Sequence, residues 1–220
     1  MIVADGDVSP TDAAARGLLP AYPTDLLVIA ADGGLRKAEL LGLRPSLVIG
    51  DGDSLAPDAP AELAARGIEL RLHPRDKDES DTELALREAI ARGAERIVVL
   101  GALGGLRFDH SLANVLLLGL PELAGRQVTL VDGATSVRLL AGPGALELEG
   151  AAGDVVSLLP LSEVVEGARS DGLRFALGGE TLAQGPSRGL SNEMTAARAR
   201  VAIASGRLAV IHSAGQGGLT

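Results

Sequence analysis

Leu47-Val48-Ile49-Gly50-Asp51-Gly52-Asp53-Ser54 is an apolar run that stops at a glycine and two aspartates. Its apolar residues do not alternate with polar ones, so it fits a strand buried on both faces, as in parallel sheets. The same grammar recurs on either side, in Leu26–Ala30, Ile97–Leu100 and the shorter Val128–Val131. Ile68-Glu69-Leu70-Arg71-Leu72 alternates instead, which places it nearer a sheet edge. Helical patterns fill the gaps, at Leu35–Leu41, Pro60–Arg66, Thr82–Arg92 and Ser111–Leu118. The third has a start signal, Ser80 followed by Glu83 as a capping box, and a stop at Gly93. Strand, helix and strand at this spacing predict an open, mostly parallel α/β sheet.

After Asp132-Gly133 the pattern changes. Short apolar segments at Ser136–Leu140, Ala145–Glu149, Val155–Leu159, Leu173–Leu177, Arg200–Ala204 and Leu208–His212 are separated by Gly, Pro and Asp turns. This predicts a smaller all-β sandwich. The expected domains are therefore 1–132 and 133–220, and the tail Gly215–Gly218 is expected to be loose.

Composition narrows the chemistry. The 220 residues are 46% hydrophobic and 22% charged, enough for a proper core. The absence of cysteine excludes a disulfide framework, a cysteine nucleophile and thiolate metal sites. Three histidines, His73, His110 and His212, are few for zinc; His73 and His212 are expected to be structural. A net charge of −9 argues against nucleic acid or an anionic membrane as partner. No apolar run is long enough to span a bilayer. Met1-Ile2-Val3-Ala4-Asp5 does not begin a signal peptide, so the expected location is cytoplasmic.

The positions of the acids carry the functional reading. Asp32 follows Leu26–Ala30, and Asp51 and Asp53 follow Leu47–Ile49. Asp76, Asp78 and Asp81 follow Leu72, and Asp109 follows the strand ending at Leu100. In an open parallel sheet these strand ends share one edge, where ligands bind. Each aspartate alone is an ordinary turn or helix-start residue. Together on one rim they repel one another unless a cation neutralises them. Oxygen-only ligands favour Mg²⁺, Ca²⁺ or Mn²⁺. Asp51 and Asp53, two apart in extended chain, point the same way and can share a metal. Lys77 sits among carboxylates in the loop Arg75–Asp81, which opens a helix and suits a metal–phosphate site. In Gly101–His110, glycines allow close backbone approach, and Arg107 offers a fork for phosphate that Asp109 can orient. No Gly-x-x-x-x-Gly-Lys-Ser/Thr loop exists, and the dinucleotide fingerprint lacks its third glycine.

With these residues in view, the chain resembles the thiamine pyrophosphokinase family. Asp32-Gly33-Gly34 is similar to its Asp-Gly-Gly turn, and Gly50–Ser54 to its Gly-Asp-x-Asp-Ser motif. Lys77–Asp81 matches Lys-Asp-x-(Thr/Ser)-Asp, Gly101–His110 resembles a glycine-rich turn ending in Arg-x-Asp-His, and Gly189–Glu193 is similar to a Gly-(Ile/Leu)-Ser-Asn segment. The resemblance implies transfer of a pyrophosphoryl group from ATP to the thiamine hydroxyl, with Mg²⁺ and a homodimer. It implies that Asp51, Asp53 and Asp81 hold the metal. Asp32, Gly33, Lys77, Asp78, Gly104, Gly105, Arg107, Asp109 and His110 would line the nucleotide and phosphate site, with Arg107 and Asp109 also catalytic. Ser191 and Asn192 would contact thiamine. Three departures stand out: Gly52 between the paired aspartates, Leu106 inserted before Arg107, and a second domain without tryptophan. Other readings are a magnesium phosphohydrolase of the haloacid dehalogenase kind with Asp51 as nucleophile, a pyrophosphokinase for another hydroxymethyl heterocycle such as a pterin, and a nucleotide-binding sensor.

Overall fold

The computed structural model describes residues 1–8 and 26–215. The chain divides into two compact units, Met1–Gly133 and Ala134–Thr220. Residues 216–218 of the tail expected to be loose lie outside the described residues.

The first unit is a parallel α/β sheet. Its strands are β1 (Ile2–Val3), β2 (Ile29–Ala31), β3 (Leu47–Gly50), β4 (Glu69–Leu72), β5 (Arg96–Leu100) and β6 (Gln127–Asp132). Their order is β6-β5-β1-β2-β3-β4, every pair parallel. Among the described residues four helices lie between them: α1 (Gly34–Leu40), α2 (Ala59–Ala65), α3 (Asp81–Ala91) and α4 (Phe108–Leu117). Val48, Ile49, Val98 and Val99 are buried, as their continuous apolar runs require. The alternating β4 is the edge, with its residues half-buried or exposed. The chain walks outward from β1 to β4, then returns to the other side of β1 for β5 and β6. That reversal opens a crevice at the carboxyl ends of β1 and β5.

Local chemistry fixes α3 as expected. Ser80 accepts a hydrogen bond from the Glu83 amide at 3.2 Å. The reciprocal half of the box is replaced, because the Glu83 carboxylate accepts from Arg87. At the other end Gly93 takes φ +80°, and the Gly93 and Ala94 amides close on the Ile90 and Ala89 carbonyls. This is the left-handed stop that glycine permits.

The second unit is two antiparallel sheets. One has the order β12 (Asn192–Glu193), β9 (Val155–Pro160), β14 (Arg207–Ser213) and β7 (Thr135–Ala141). The other has β11 (Gly178–Ala183), β10 (Val164–Asp171), β13 (Arg198–Ile203) and β8 (Gly144–Glu149). Leu148, Val165 and Val201 from one sheet share a core with Val156, Leu158 and Leu208 from the other. One expected strand fails: Leu173–Leu177 is loop, and the strands on either side are β10 and β11. Leu173 and Leu177 are buried in the core without joining a regular ladder, so their apolar character reports burial and not extension.

Candidate active site

The strand ends of the first unit line a cleft of about 1030 Å³, at the upper end of the usual size for ligand sites. Along the rim stand Arg75 and Lys77 after β4, Asp51 and Asp53 after β3, Asp32 after β2, Asp5 and Asp7 after β1, and the loop Gly101–Asp109 after β5.

Three carboxylates form its sharpest feature. Asp32, Asp51 and Asp53 each place an oxygen within 4.8 Å of the other two. Like charges this close repel by an order of 1–3 kcal/mol per pair in a partly screened site. Asp32 is 7% exposed, has φ +45°, and its Oδ1 has no hydrogen-bond partner. A buried carboxylate oxygen with no donor is costly, and a cation satisfies it. Gly50 makes the cluster possible: a Cβ there would fall 2.8 Å from Asp32 Cβ and 3.2 Å from Asp81 Cγ. Asp51 accepts from the Asp53 amide at 3.0 Å, and Asp53 accepts from Ser54 and Arg75 at 3.3 and 3.2 Å.

Asp81, expected in the metal set with Asp51 and Asp53, lies beside this trio. Asp81 opens α3 and is drawn to Lys77, with Nζ 3.1 Å from its carboxylate. Burial pushes the Asp81 carboxyl above its ordinary pKa; Lys77 pulls it down, while Asp32 and Asp51 add upward pressure. It remains beside the trio as a fourth acid. Asp78 does not line the cleft; it is an exposed residue of the same loop. Gly33 lines an adjoining pocket of about 480 Å³.

Beyond β5, Gly104 and Gly105 take φ +88° and +87° and line the cleft with His110. Arg107 donates two hydrogen bonds to Asp109, at 2.9 and 2.6 Å. That fork holds the Asp109 carboxyl down to about 2. Leu106 projects fully into solvent. Sequence reasoning missed Asn114, a buried amide on α4 that donates to the Ala102 carbonyl at 2.8 Å and so anchors the glycine-rich loop. It also missed Asp5 and Asp7.

In the second unit Ser191 is exposed with φ +56°, its amide donating to Ser157 Oγ at 3.1 Å. Asn192 is buried. Its carbonyl oxygen accepts from the Phe175 and Glu193 amides, and its amide nitrogen donates to the Phe175 carbonyl. All three of these partners are backbone groups. Phe175, held at both its amide and its carbonyl, is 61% exposed, with the Arg174 guanidinium 5.4 Å from its ring centroid.

Comparison with known proteins agrees with both halves. Residues 22–130 match the thiamin pyrophosphokinase catalytic domain, and residues 145–208 match the thiamin pyrophosphokinase vitamin B1 binding domain. The chain is 27% identical over 188 residues to thiamine pyrophosphokinase of Bacillus subtilis, covering 85% of this chain and 87% of the relative. The crystal structure of thiamine pyrophosphokinase from Bacillus subtilis superimposes with a TM-score of 0.81 at 25% identity, covering 97% of this chain and 98% of that one. A thiamin pyrophosphokinase family protein from Enterococcus faecalis gives 0.78 at 29% identity, covering 96% and 97%. With two domain matches in order and solved structures alike along nearly their whole length, the chain belongs to the thiamin pyrophosphokinase family.

Proposed function

We propose that this chain transfers a pyrophosphoryl group from ATP to the hydroxyl of thiamine, giving thiamine diphosphate and AMP, as a cytoplasmic homodimer. The observation that carries the reading is the trio Asp32, Asp51 and Asp53 around a buried, unpartnered Asp32 oxygen. The oxygen-only donor set fits Mg²⁺, and the three aspartates would hold it, with Asp81 alongside. When bound, the cation supplies charge neutralisation for the phosphates.

The remaining work falls to the chain's own groups. Lys77 and Arg75 flank the trio and draw phosphate oxygens toward it. The bare backbone of Gly104 and Gly105 admits a ligand against the loop. Asp109 holds the Arg107 fork in one orientation, ready to turn toward phosphate. The reaction then depends on alignment: the thiamine oxygen bonds to the β-phosphorus, the bond from that phosphorus to the bridging α-phosphate oxygen breaks so that AMP leaves with that oxygen, and the hydroxyl proton passes to solvent. Asp51 acts as a ligand and not a nucleophile, so no aspartyl phosphate forms.

In the second unit, Ser191 offers a hydroxyl to thiamine. Asn192 acts by setting the backbone of Phe175, whose exposed ring gives the acceptor heterocycle a face to stack on. Product separation with labelled ATP tests the whole reading. AMP and thiamine diphosphate should form in equal amounts, and only with a divalent cation. ADP with thiamine monophosphate would overturn the pyrophosphoryl claim. Free phosphate with a trapped aspartyl intermediate would favour a hydrolase.

A further inference from the structure

Arg174 in the second unit holds a place that the reaction as derived does not use. Its guanidinium carbon lies 5.4 Å from the centroid of the Phe175 ring, the ring given above to the acceptor heterocycle. The same guanidinium donates to a carboxylate oxygen of Glu193 at 3.0 Å. One cation thus joins an aromatic face to an acid, the two kinds of group that recognise a cationic ligand. The backbone around them is fixed. The Arg174 amide donates to the Glu193 carbonyl at 2.9 Å, and the preceding Leu173 bridges to Met194, both side chains being buried. Asn192 holds Phe175 at its amide and its carbonyl, and Glu193 belongs to β12, which pairs with β9. Ring and carboxylate therefore keep their places, while the Arg174 side chain, 60% exposed, can rotate away without moving either backbone.

Thiamine brings a charge of the same sign. Its thiazolium is flat, permanently cationic and has no proton whose loss would neutralise it. On the face of Phe175, beside Glu193, that ring would meet the partners that Arg174 now has. Two cations do not share one ring face and one carboxylate without repelling each other. An exposed ion pair is weak enough to be exchanged for a better one. An uncharged ring fares worse: it must still clear Arg174 from Phe175, and it brings no charge to Glu193 in return. We propose that Arg174 is a resident cation that the thiazolium of thiamine displaces from the Phe175 ring and Glu193, so that this corner of the second unit selects a cationic acceptor over a neutral one. A neutral hydroxymethyl heterocycle such as a pterin is disfavoured by the same exchange. Arg174 returns to the ring and the acid as the product leaves.

This inference rests on thiamine as the acceptor, and equilibrium binding separates it from the reaction. Calorimetric titration of the full chain compares thiamine with 3-deazathiamine, in which an uncharged thiophene replaces the thiazolium. The wild type should bind thiamine at least about 5-fold more tightly than the analogue. Arg174→Ala should tighten thiamine by about 3-fold or more and widen that ratio, since the competing cation is gone and Glu193 is left unpaired. Arg174→Lys, which keeps a cation there, should stay nearer to the wild type. The near-isosteric Glu193→Gln should weaken thiamine and shrink the ratio by about 2-fold or more. Weaker thiamine binding in Arg174→Ala would make Arg174 a ligand of the acceptor and overturn the proposal. Unchanged binding there overturns it too, as does a ratio that Glu193→Gln leaves intact. A wild type that binds thiamine but forms no AMP from ATP with Mg²⁺ defeats the pyrophosphokinase reading and not the exchange. One that binds no thiamine defeats both.

Discussion

Asp32 and Asp154 are both buried aspartates, 7% and 4% exposed, one in each unit. Their surroundings are opposite. Asp154 spends both oxygens: Oδ2 accepts from the Ala151 amide and His212 Nε2, and Oδ1 from the Gly215 amide, each at 2.9 Å. It ties the turn before β9 to the end of β14. Asp32 has an oxygen with no donor, two more carboxylates within 4.8 Å, and a left-handed backbone. A polar group that is buried and satisfied holds a fold together; one that is buried, crowded and unsatisfied is stabilised only by something the fold has yet to receive. Among the described residues, the buried side-chain atoms without a partner, on Asp32, His73 and Asp81, all lie in the first unit.

The largest expected effect comes from Asp32→Asn. Asparagine tolerates the left-handed conformation, and a neutral amide costs less to bury than a charge beside two others. The thermal midpoint of the metal-free protein should hold or rise, while turnover falls by at least about 100-fold. Calorimetry without metal, alongside turnover with Mg²⁺, reads both. A variant that unfolds early would place Asp32 with Asp154 among the structural acids and erase the contrast.

Asp154→Ala should do the reverse. Stripping the acceptor from two amides and His212 should cost about 3 kcal/mol of stability, read as a shift in the urea midpoint. The isolated variant should still bind Mg²⁺ as the wild type does. Near-native stability would mean that the clamp is incidental.

The contrast between the two acids was only half legible in the sequence. Asp32, Asp51 and Asp53 could be placed at one edge because apolar runs mark strand ends and strand ends share an edge. Asp5 and Asp7 escaped because β1 is only Ile2–Val3, too short to show a period. The place of Asp81 beside the trio is a matter of side-chain reach: Lys77, four residues earlier in the loop, pairs with it, and motif spacing does not encode that. Asp154 and Asn192 look like turn residues in the sequence. Only the packed sandwich reveals that their partners lie as far away as His212 and Phe175.

The pH dependence sharpens the Asp154 side. Burial pushes its pKa up, but the hydrogen bonds from Gly215, Ala151 and His212 outweigh it and leave the carboxyl below its ordinary value. The unfolded chain therefore takes up the proton first. The stabilisation is complete above the unfolded value of about 4 and is lost as pH falls through the folded one. The stability gap between wild type and Asp154→Asn should be widest near neutrality and narrow steadily on acidification below that point. A gap independent of pH would show that the shape of the side chain, and not its charge, holds the clamp.

The smallest expected effect tests whether the open strand ends of the first unit are really uninvested in its stability. Gly33 and Gly34 are neighbours at the start of α1, and both are packed tightly. A Cβ on Gly34 would lie 2.0 Å from the Val3 carbonyl oxygen, in the backbone of the central strand, which cannot yield. The atoms nearest a Cβ on Gly33 would be those of the Asp5 carboxylate, the far end of a side chain that can rotate aside. Gly33 also has an ordinary φ of −57°, so alanine meets no backbone strain there. Gly34→Ala should therefore cost several kcal/mol, in the range of overpacked cores, of about 1–3 or more. Gly33→Ala should cost less than about 1 kcal/mol, because displacing an exposed side chain breaks nothing the fold relies on. Parallel urea titrations of the two variants read the difference. Equal destabilisation by the two alanines would show that Asp5 is anchored as firmly as Asp154, and the division between an open first unit and a satisfied second one would fall.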